Sequence, residues 1–195
     1  MRFLPFLTLS LLPLATHAAP TGIQVAAVFN DVAIMSDTLR ITVEGITPFN
    51  APFQGFKIAA GFLKIIDKIS ASITVLQSAA QDANRAQARD LSDPAPQEAK
   101  SAVPFPDEEA KIVVAALTTF VKIHQALLNV VIGKHGILTL IPFFEPIRRA
   151  LVSLEKVVDM LAFLVIGLIP TQAPAAQTQF DKLSVTLKLT IVTYS

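Results

Sequence analysis

The stretch that decides the fold runs from residue 107 to residue 133 and reads DEEAKIVVAALTTFVKIHQALLNVVIG. It opens with three acidic residues, which the positive end of a helix dipole favours. Its apolar residues recur at spacings of three and four, which predicts one buried helical face. That face consists of Val113, Ala116, Leu117, Phe120, Leu127 and Val131. Because Gly133 and Gly136 are typical helix stops, the stretch predicts one long amphipathic helix that ends there.

The segments on either side, which proline and glycine separate, show similar periodicity. In the first, over residues 22–46, the seam is Val25, Val28, Val32, Met35, Leu39 and Ile46. The second begins at Asn50 as N-cap and continues past residue 78 as a polar extension, and another helix starts around residues 142–146 and ends at residue 167. Because the connections after the first and fourth helices are short, we expect an all-α, up-and-down bundle of four to five long helices.

Two of these segments leave a rival interpretation open. Residues 174–194 have helical spacing, but β-branched residues and partial alternation near the end make a strand the alternative. Residues 160–169 are apolar on nearly all sides, as in a membrane span. Because Glu155, Lys156 and Asp159 fall within the only window long enough, we expect a fully buried helix and no stable transmembrane insertion.

The chain begins with a segment typical of secretion. A positive start at Arg2, an apolar run over residues 3–14 and small residues before a cut after Ala18 have the layout of a signal peptide. We therefore expect residues 1–18 to be a signal peptide and residues 19–195 to form one helical-bundle domain in a secreted, extracellular protein. Within that domain, residues 92–106 carry four prolines among polar residues and are predicted to be a flexible linker.

Composition excludes several functional classes. Of the 195 residues 52% are hydrophobic and only 16% charged, and none is cysteine, so neither a disulfide nor a cysteine nucleophile is available. Cleavage after Ala18 leaves 15 basic residues against 15 acidic ones, which gives no electrostatic basis for binding nucleic acid. Hydrolase elbow and zinc-protease motifs are missing. We predict no enzyme, no catalytic residue, no metal site and no cofactor.

Apolar and polar side chains near the helix ends are the candidates for a ligand site. Thirteen phenylalanines stand against one tyrosine; most fill the core in an ordinary bundle, but those near helix starts can line a pocket mouth or an adsorbing surface. His124 is either a histidine at the core edge or a hydrogen-bond donor inside an apolar pocket. The candidate donors to a lipid carboxylate are His124, Gln125, Lys134 and Arg148. The predicted ligand-binding residues are Phe62, Phe120, His124, Gln125, Lys134, Phe143, Phe144, Arg148, Met160 and Phe163.

Four quoted stretches carry a family resemblance. LLNVVIGKHGIL at Leu127–Leu138, the pair Pro142–Phe143, LVSLEKVVD at Leu151–Asp159 and LIP at Leu168–Pro170 resemble the fungal hydrophobic surface-binding protein A family, which includes cell wall galactomannoproteins. The resemblance implies a small secreted helical bundle, in the medium or the cell wall, that adsorbs to hydrophobic surfaces and helps secreted esterases reach them. It further implies that some members bind fatty acids in a cavity between helices. The chain departs from the family in lacking a Ser/Thr-rich tail and a C-terminal anchor signal.

These observations leave three functional hypotheses. The first is a binder of hydrophobic surfaces, lipids or fatty acids that assists a secreted esterase. The second is a structural or antigenic wall mannoprotein with a closed core that contacts polysaccharide. The third and weakest is a membrane-active helical protein. The discriminating feature is cavity volume, and a structure with no internal void beyond a water molecule or two would favour the second hypothesis.

Overall fold

The computed structural model describes residues 20–90, 104–139 and 144–195. The predicted signal peptide, residues 92–103 of the predicted linker and Phe143 lie outside the described residues. The described part contains six α-helices and one 3₁₀ turn at Pro170–Gln172. The helices are α1 (Gly22–Glu44), α2 (Ala51–Asp90), α3 (Asp107–Gly133), the short α4 (His135–Leu138), α5 (Phe144–Leu168) and α6 (Ala173–Thr193). The predicted all-α bundle with five long helices is confirmed, and residues 173–193 are helix rather than strand.

The five long helices form a ring in which each packs mainly against two others. The order around the ring is α1, α2, α5, α6, α3 and back to α1. Short connections place α1 against α2 and α5 against α6 as antiparallel pairs. The remaining neighbours are parallel, so α1, α3 and α6 form one layer and α2 and α5 form the other. At typical interaxial distances of about 8–10 Å, a ring of five sets non-adjacent axes roughly 13–16 Å apart, which side chains must fill.

The core of α1 differs from the predicted seam. Val25, Val32, Leu39 and Ile46 are buried as predicted, but Val28 and Met35 are only partly buried. The stripe is completed instead by Phe29, Ser36 and Val43. The reason is that α1 lies between α2 and α3, so its buried stripe follows the side facing α3, where a serine occupies a core position.

The helix ends also differ in detail from the expectations. Helix α3 does stop at Gly133, but Gly136 lies inside α4 rather than ending a helix, and no described glycine has a positive φ. Asn50 is not a side-chain cap for α2. Its side chain instead accepts a hydrogen bond from the Thr47 backbone and donates one to the Gly45 carbonyl, which holds the α1–α2 connection.

The C-terminus is fastened to the end of α3. Tyr194 is fully buried, and its hydroxyl donates a 2.9 Å hydrogen bond to the backbone carbonyl of Val131. Its ring lies between His135 and Phe144, with centroid distances of 5.0 and 5.6 Å. This contact closes the ring between α3, α4, α5 and α6 at one end of the bundle.

Helix α2 is longer than its neighbours, as its polar continuation predicted. It has 40 residues, and those after Leu76 add about 20 Å of helix. Among the α2 side chains that the structure describes, Leu76 is the last buried one. Within the described residues, only α3 is long and apolar enough by length and composition to cross a membrane, and it packs against α1 and α6.

Gly61 provides a test of the packing between α1 and α2. A Cβ added at Gly61 would lie 2.5 Å from Leu39 Cδ1, whereas one added at Gly167 meets no atom within 4 Å. We expect Gly61→Ala to lower the free energy of unfolding by about 1–2 kcal/mol, because overpacking outweighs the gain in helix propensity. Gly167→Ala is the control and should stabilise by up to about 1 kcal/mol. Urea denaturation measures both, and a stabilised Gly61→Ala would contradict the close approach.

Candidate functional site

A solvent-open apolar cleft of about 350 Å³ lies between the first half of α1 and the last buried turns of α2. Phe29 lies on its wall, and Leu161 from α5 closes it from the other layer. One charged side chain lines it, Lys68, whose Nζ forms a 2.7 Å ion pair with Asp31. We call this the first cleft, and its full lining is Pro20, Gln24, Val25, Val28, Phe29, Lys68, Ala71, Ser72, Val75, Leu76 and Leu161.

A second cleft, of about 650 Å³, opens between α5 and α6. Phe163, which is 81% exposed, stands at its rim. Asp159 and Asp181 also line it, so the charges at this opening are acidic. Its other lining residues are Leu76, Ala162, Leu164, Ile166, Gly167, Leu168, Gln177, Phe180 and Ser184.

Leu76 belongs to both clefts, so the two openings meet at the same point of α2. Both volumes lie within the usual range for sites that bind small molecules, and both linings are mainly apolar. The two clefts therefore adjoin at Leu76, and the charged side chains of their linings are Lys68 in the first cleft and Asp159 and Asp181 in the second.

A polar pair lies inside the bundle behind the first cleft. Phe29 stacks on Phe120 with a centroid distance of 5.7 Å, and Phe120 lies 5.3 Å from the His124 ring. His124 is fully buried, and its Nδ1 is 2.7 Å from Ser36 Oγ on α1. Of the two interpretations of this residue, the structure places it inside the core rather than at its edge.

The hydrogen bonds of Ser36 decide which ring nitrogen of His124 carries the proton. The serine hydroxyl lies 2.8 Å from the Val32 carbonyl oxygen, which can only accept. Both short contacts are favourable when Ser36 donates to Val32 and His124 Nδ1–H donates to Ser36. This tautomer leaves Nε2 as a bare acceptor. Nε2 is also the one buried side-chain nitrogen or oxygen in the described residues that has no hydrogen-bond partner.

Burial keeps the imidazole neutral. Desolvation lowers the pKa of His124 to about 4, because an apolar interior disfavours the charged form. At neutral pH the residue is therefore an uncharged group with a free lone pair, which costs stability as long as no donor reaches it.

The other predicted polar residues have partners within the fold. The Gln125 amide donates to the Lys182 carbonyl and to Thr186 Oγ1. Lys134 Nζ donates to the Ile46 carbonyl at 2.9 Å. Arg148 pairs with Glu145 on the same helix.

The predicted apolar residues fall into three places. Phe62 and Phe120 are fully buried in the core, and Phe144 is packed on Tyr194 at the end opposite the clefts. Met160 is half exposed next to Gln77, and Phe163 lines the second cleft. The structure thus brings Phe120 and His124 together, sets Phe163 at a cleft, and places the other described candidates elsewhere.

Sequence reasoning missed the residues that form the first cleft. Phe29, Val75 and Leu76 were not candidates, although Val25, Phe29 and Val32 follow helical spacing that could have indicated Phe29. Ser36 was also missed, because nothing local marks a serine as the partner of a histidine 88 residues away.

No family model matches the chain, and no curated protein matches it. Solved structures with a similar fold were found. One is Afmp4p in complex with palmitic acid, with a TM-score of 0.72 and 10% identity, covering 89% of this chain and 99% of that chain. Another is ligand binding domain 1 of the Penicillium marneffei MP1 protein complexed with arachidonic acids, with a TM-score of 0.70, 16% identity and the same coverage of both chains. At these identities the likeness shows that the fold is shared.

The lowered pKa of His124 gives stability a pH dependence with a definite sign. The unfolded imidazole titrates near 6.5 and the folded one at about 4, so between these values the unfolded chain binds more protons. The contribution of His124 to the free energy of unfolding is therefore fully present above pH 6.5 and falls as the pH drops. At pH 4, the folded pKa, the loss amounts to about 3 kcal/mol. Urea unfolding across this range measures the loss, which His124→Leu should remove.

Two carboxyl groups also act on stability at the acidic edge of this range. Hydrogen bonds from Lys111 to Asp107 and from Arg148 to Glu145 lower the pKa of each carboxyl to about 2, so their stabilising contribution begins to fall as the pH drops through the unfolded carboxyl pKa of about 4. Both carboxyl groups are unchanged in His124→Leu, so the difference between the two pH profiles isolates the imidazole. An unchanged pH profile in His124→Leu would contradict a buried neutral imidazole.

Proposed function

We propose that this chain is a non-enzymatic binder of long-chain lipids, which it takes up through the first cleft. The observation that carries the proposal is the solvent-open apolar cleft whose wall, Phe29, stacks on the core residue Phe120. A guest in that cleft contacts the interior of the bundle directly, without crossing a polar layer.

The size of the clefts supports binding over a purely structural role. Volumes of about 350 and 650 Å³ are far above the room that one or two waters need. The surface is not uniformly polar either, since Val75 and Phe163 are 56% and 81% exposed beside the clefts. Both features support the proposal, because they offer an apolar guest a surface on which it can be buried.

The chemistry of the lining supports an apolar guest. Lys68 is the one charged side chain of the first cleft, and it is already paired with Asp31. Burial of methylene groups, at about 0.8 kcal/mol each, must therefore supply most of the affinity. Ordering and association costs are of similar size, so an aliphatic chain must be buried along most of its length to bind tightly.

The fold likeness agrees with this proposal, because both structural neighbours carry fatty acids. We extend it, on the resemblance of residues 127–170 to the hydrophobic surface-binding protein A family, to a protein of that type. In this proposal the chain is secreted after cleavage behind Ala18, acts outside the cell or at the cell wall, and helps an esterase reach apolar substrate. Contact with wall polysaccharide is a further proposal from the same resemblance.

Filling the first cleft tests lipid binding. Ala71 lines the cleft, and Ala71→Trp places an indole where the chain would lie. We expect the Kd for a fluorescent fatty acid to rise at least tenfold. The indole excludes a few methylene groups of the fatty acid from the cleft, and each buried methylene contributes about 0.8 kcal/mol to binding. The control is Ala126→Trp, an equally large change at an exposed position of α3 that lines neither cleft; it should leave the Kd within about twofold. Equal affinity in all three proteins would refute the first cleft as the site.

Adsorption to apolar surfaces is a second candidate function, which one exposed cluster favours. Phe49, Phe53 and Phe56 are 92%, 74% and 53% exposed around the α1–α2 connection. Phe53 and Phe56 share one face of α2, and Phe49 lies one turn before them. We call these three residues the phenylalanine patch. It lies at the end of α1 opposite the clefts, so adsorption and lipid uptake use separate parts of the molecule.

Replacing the patch separates the two functions. We expect the triple change Phe49→Ser, Phe53→Ser and Phe56→Ser to reduce adsorption to polystyrene severalfold, because exposed apolar area is what binds such a surface. Fatty-acid titration of the same variant should be unchanged. The matched control is Ile112→Ser, a single exposed apolar residue on α3. If adsorption survives the triple change, the patch is not the adsorbing surface.

A further inference from the structure

The unpartnered nitrogen of His124 is the feature that the proposed function leaves unused. His124 Nε2 is buried and has a lone pair but no donor. The other buried polar side chains of the described residues cannot supply one: Ser36 donates to Val32, and Thr190 donates to Thr186. A donor for Nε2 must therefore come from outside the side chains described.

Two packed aromatic rings separate the first cleft from the His124 ring. From its wall at Phe29, the stacked ring of Phe120 and then the ring of His124 follow, each within 6 Å of the one before. Along α1, Ser36 lies eleven residues beyond Val25 of the cleft, which is about 16 Å of helix. That distance is comparable with the length of an extended lipid chain.

We propose that His124 Nε2 accepts a hydrogen bond from the terminal O–H group of a lipid that enters the first cleft polar end first, after the Phe29–Phe120 pair has moved aside. The inference rests on the proposed function and deepens it, because it names the chemistry of the guest. The favoured guests are long-chain molecules whose end group is uncharged and carries a hydrogen, which are alcohols and protonated carboxylic acids.

The direction of the hydrogen bond sets this selectivity. A bare Nε2 can only accept, so a methyl ether or methyl ester end leaves it unpaired. An ionised carboxylate offers no hydrogen and is expensive to bury without a cation. The one cation of the first cleft, Lys68, is half exposed at the opening and paired with Asp31, so it does not accompany an end group into the core.

Ser36 is a positioning residue in this arrangement. By accepting from Nδ1–H it keeps the proton on that nitrogen and the lone pair on Nε2. Without the serine hydroxyl the proton can move to Nε2, which would turn the acceptor into a donor. Ser36 thus acts on selectivity without touching the guest.

The test compares two uncharged guests of nearly equal size. Dodecan-1-ol and its methyl ether are titrated against the full chain by displacement of a fluorescent fatty acid. We expect the protein to bind the alcohol about three- to tenfold more tightly, the effect of one buried hydrogen bond. In His124→Leu both compounds should still bind, with a preference close to one. In Ser36→Ala the preference for the alcohol over the ether should also fall towards one.

Two controls separate this effect from a general disturbance of the core. Leu127→Val changes packing one turn further along α3 and should keep the preference for the alcohol. His124→Leu should be at least as stable as the unchanged protein at neutral pH, because it removes an unpaired buried nitrogen and Ser36 keeps its bond to Val32. Circular dichroism during urea unfolding measures this.

Each remaining outcome overturns a defined statement. Equal binding of alcohol and ether by the unchanged protein, or a preference that survives in His124→Leu, overturns the inference and leaves lipid binding intact. If dodecanoate binds more tightly than the alcohol and loses this advantage in Lys68→Gln, the polar end stays at the opening and the inference is wrong. Failure of all three compounds to bind overturns the proposed function together with the inference.

Discussion

The parallel packing of α1 on α3 is the constraint on which the rest of the bundle depends. Three hydrogen bonds hold it at three heights: Gly22 N–H to the Glu109 carboxylate at the start, Ser36 with His124 midway, and Lys134 Nζ to the Ile46 carbonyl at the end. A slide of one helix along the other by one turn would break all three. Because this register is set, the positions of α2 and α6 around the pair follow, and α5 closes the ring between them.

The same constraint explains why apolar space opens near the start of α1. At the opposite end, Tyr194, Phe144 and His135 fill the gap between α3 and α5 with three packed rings. Near the clefts, Phe29 and Phe180 line the openings together with aliphatic side chains such as Leu76 and Leu161, and room remains between the helices. A ring of five helices needs large side chains to fill its centre, and at this end the side chains present leave part of the space open.

The accuracy of the predictions from sequence depended on whether the interacting residues lie on the same helix or on different helices. All six residues predicted for the face of α3 are buried, because their spacing depends on α3 alone. The prediction omitted four further buried residues, which are Ala110, Val121, His124 and Leu128. The seam of α1 was right at four of six positions, and it missed Ser36, whose burial depends on a residue from another helix. Of the proposed polar donors, Arg148 could have been paired with Glu145 from the three-residue spacing. The partners of Gln125 and Lys134 could not, because they lie on α6 and in the α1–α2 connection. The clefts depend on which helices become neighbours, and no local pattern encodes that.

The separation of the phenylalanine patch from the clefts gives the molecule two unlike poles. Helix α1, about 35 Å long, stands between them. A molecule seated on wax by Phe49, Phe53 and Phe56 would hold both cleft openings on its far side, towards the water. It could therefore bind or release a lipid without desorbing from the surface. In a dense monolayer of such molecules, the cleft openings would still face the surrounding medium.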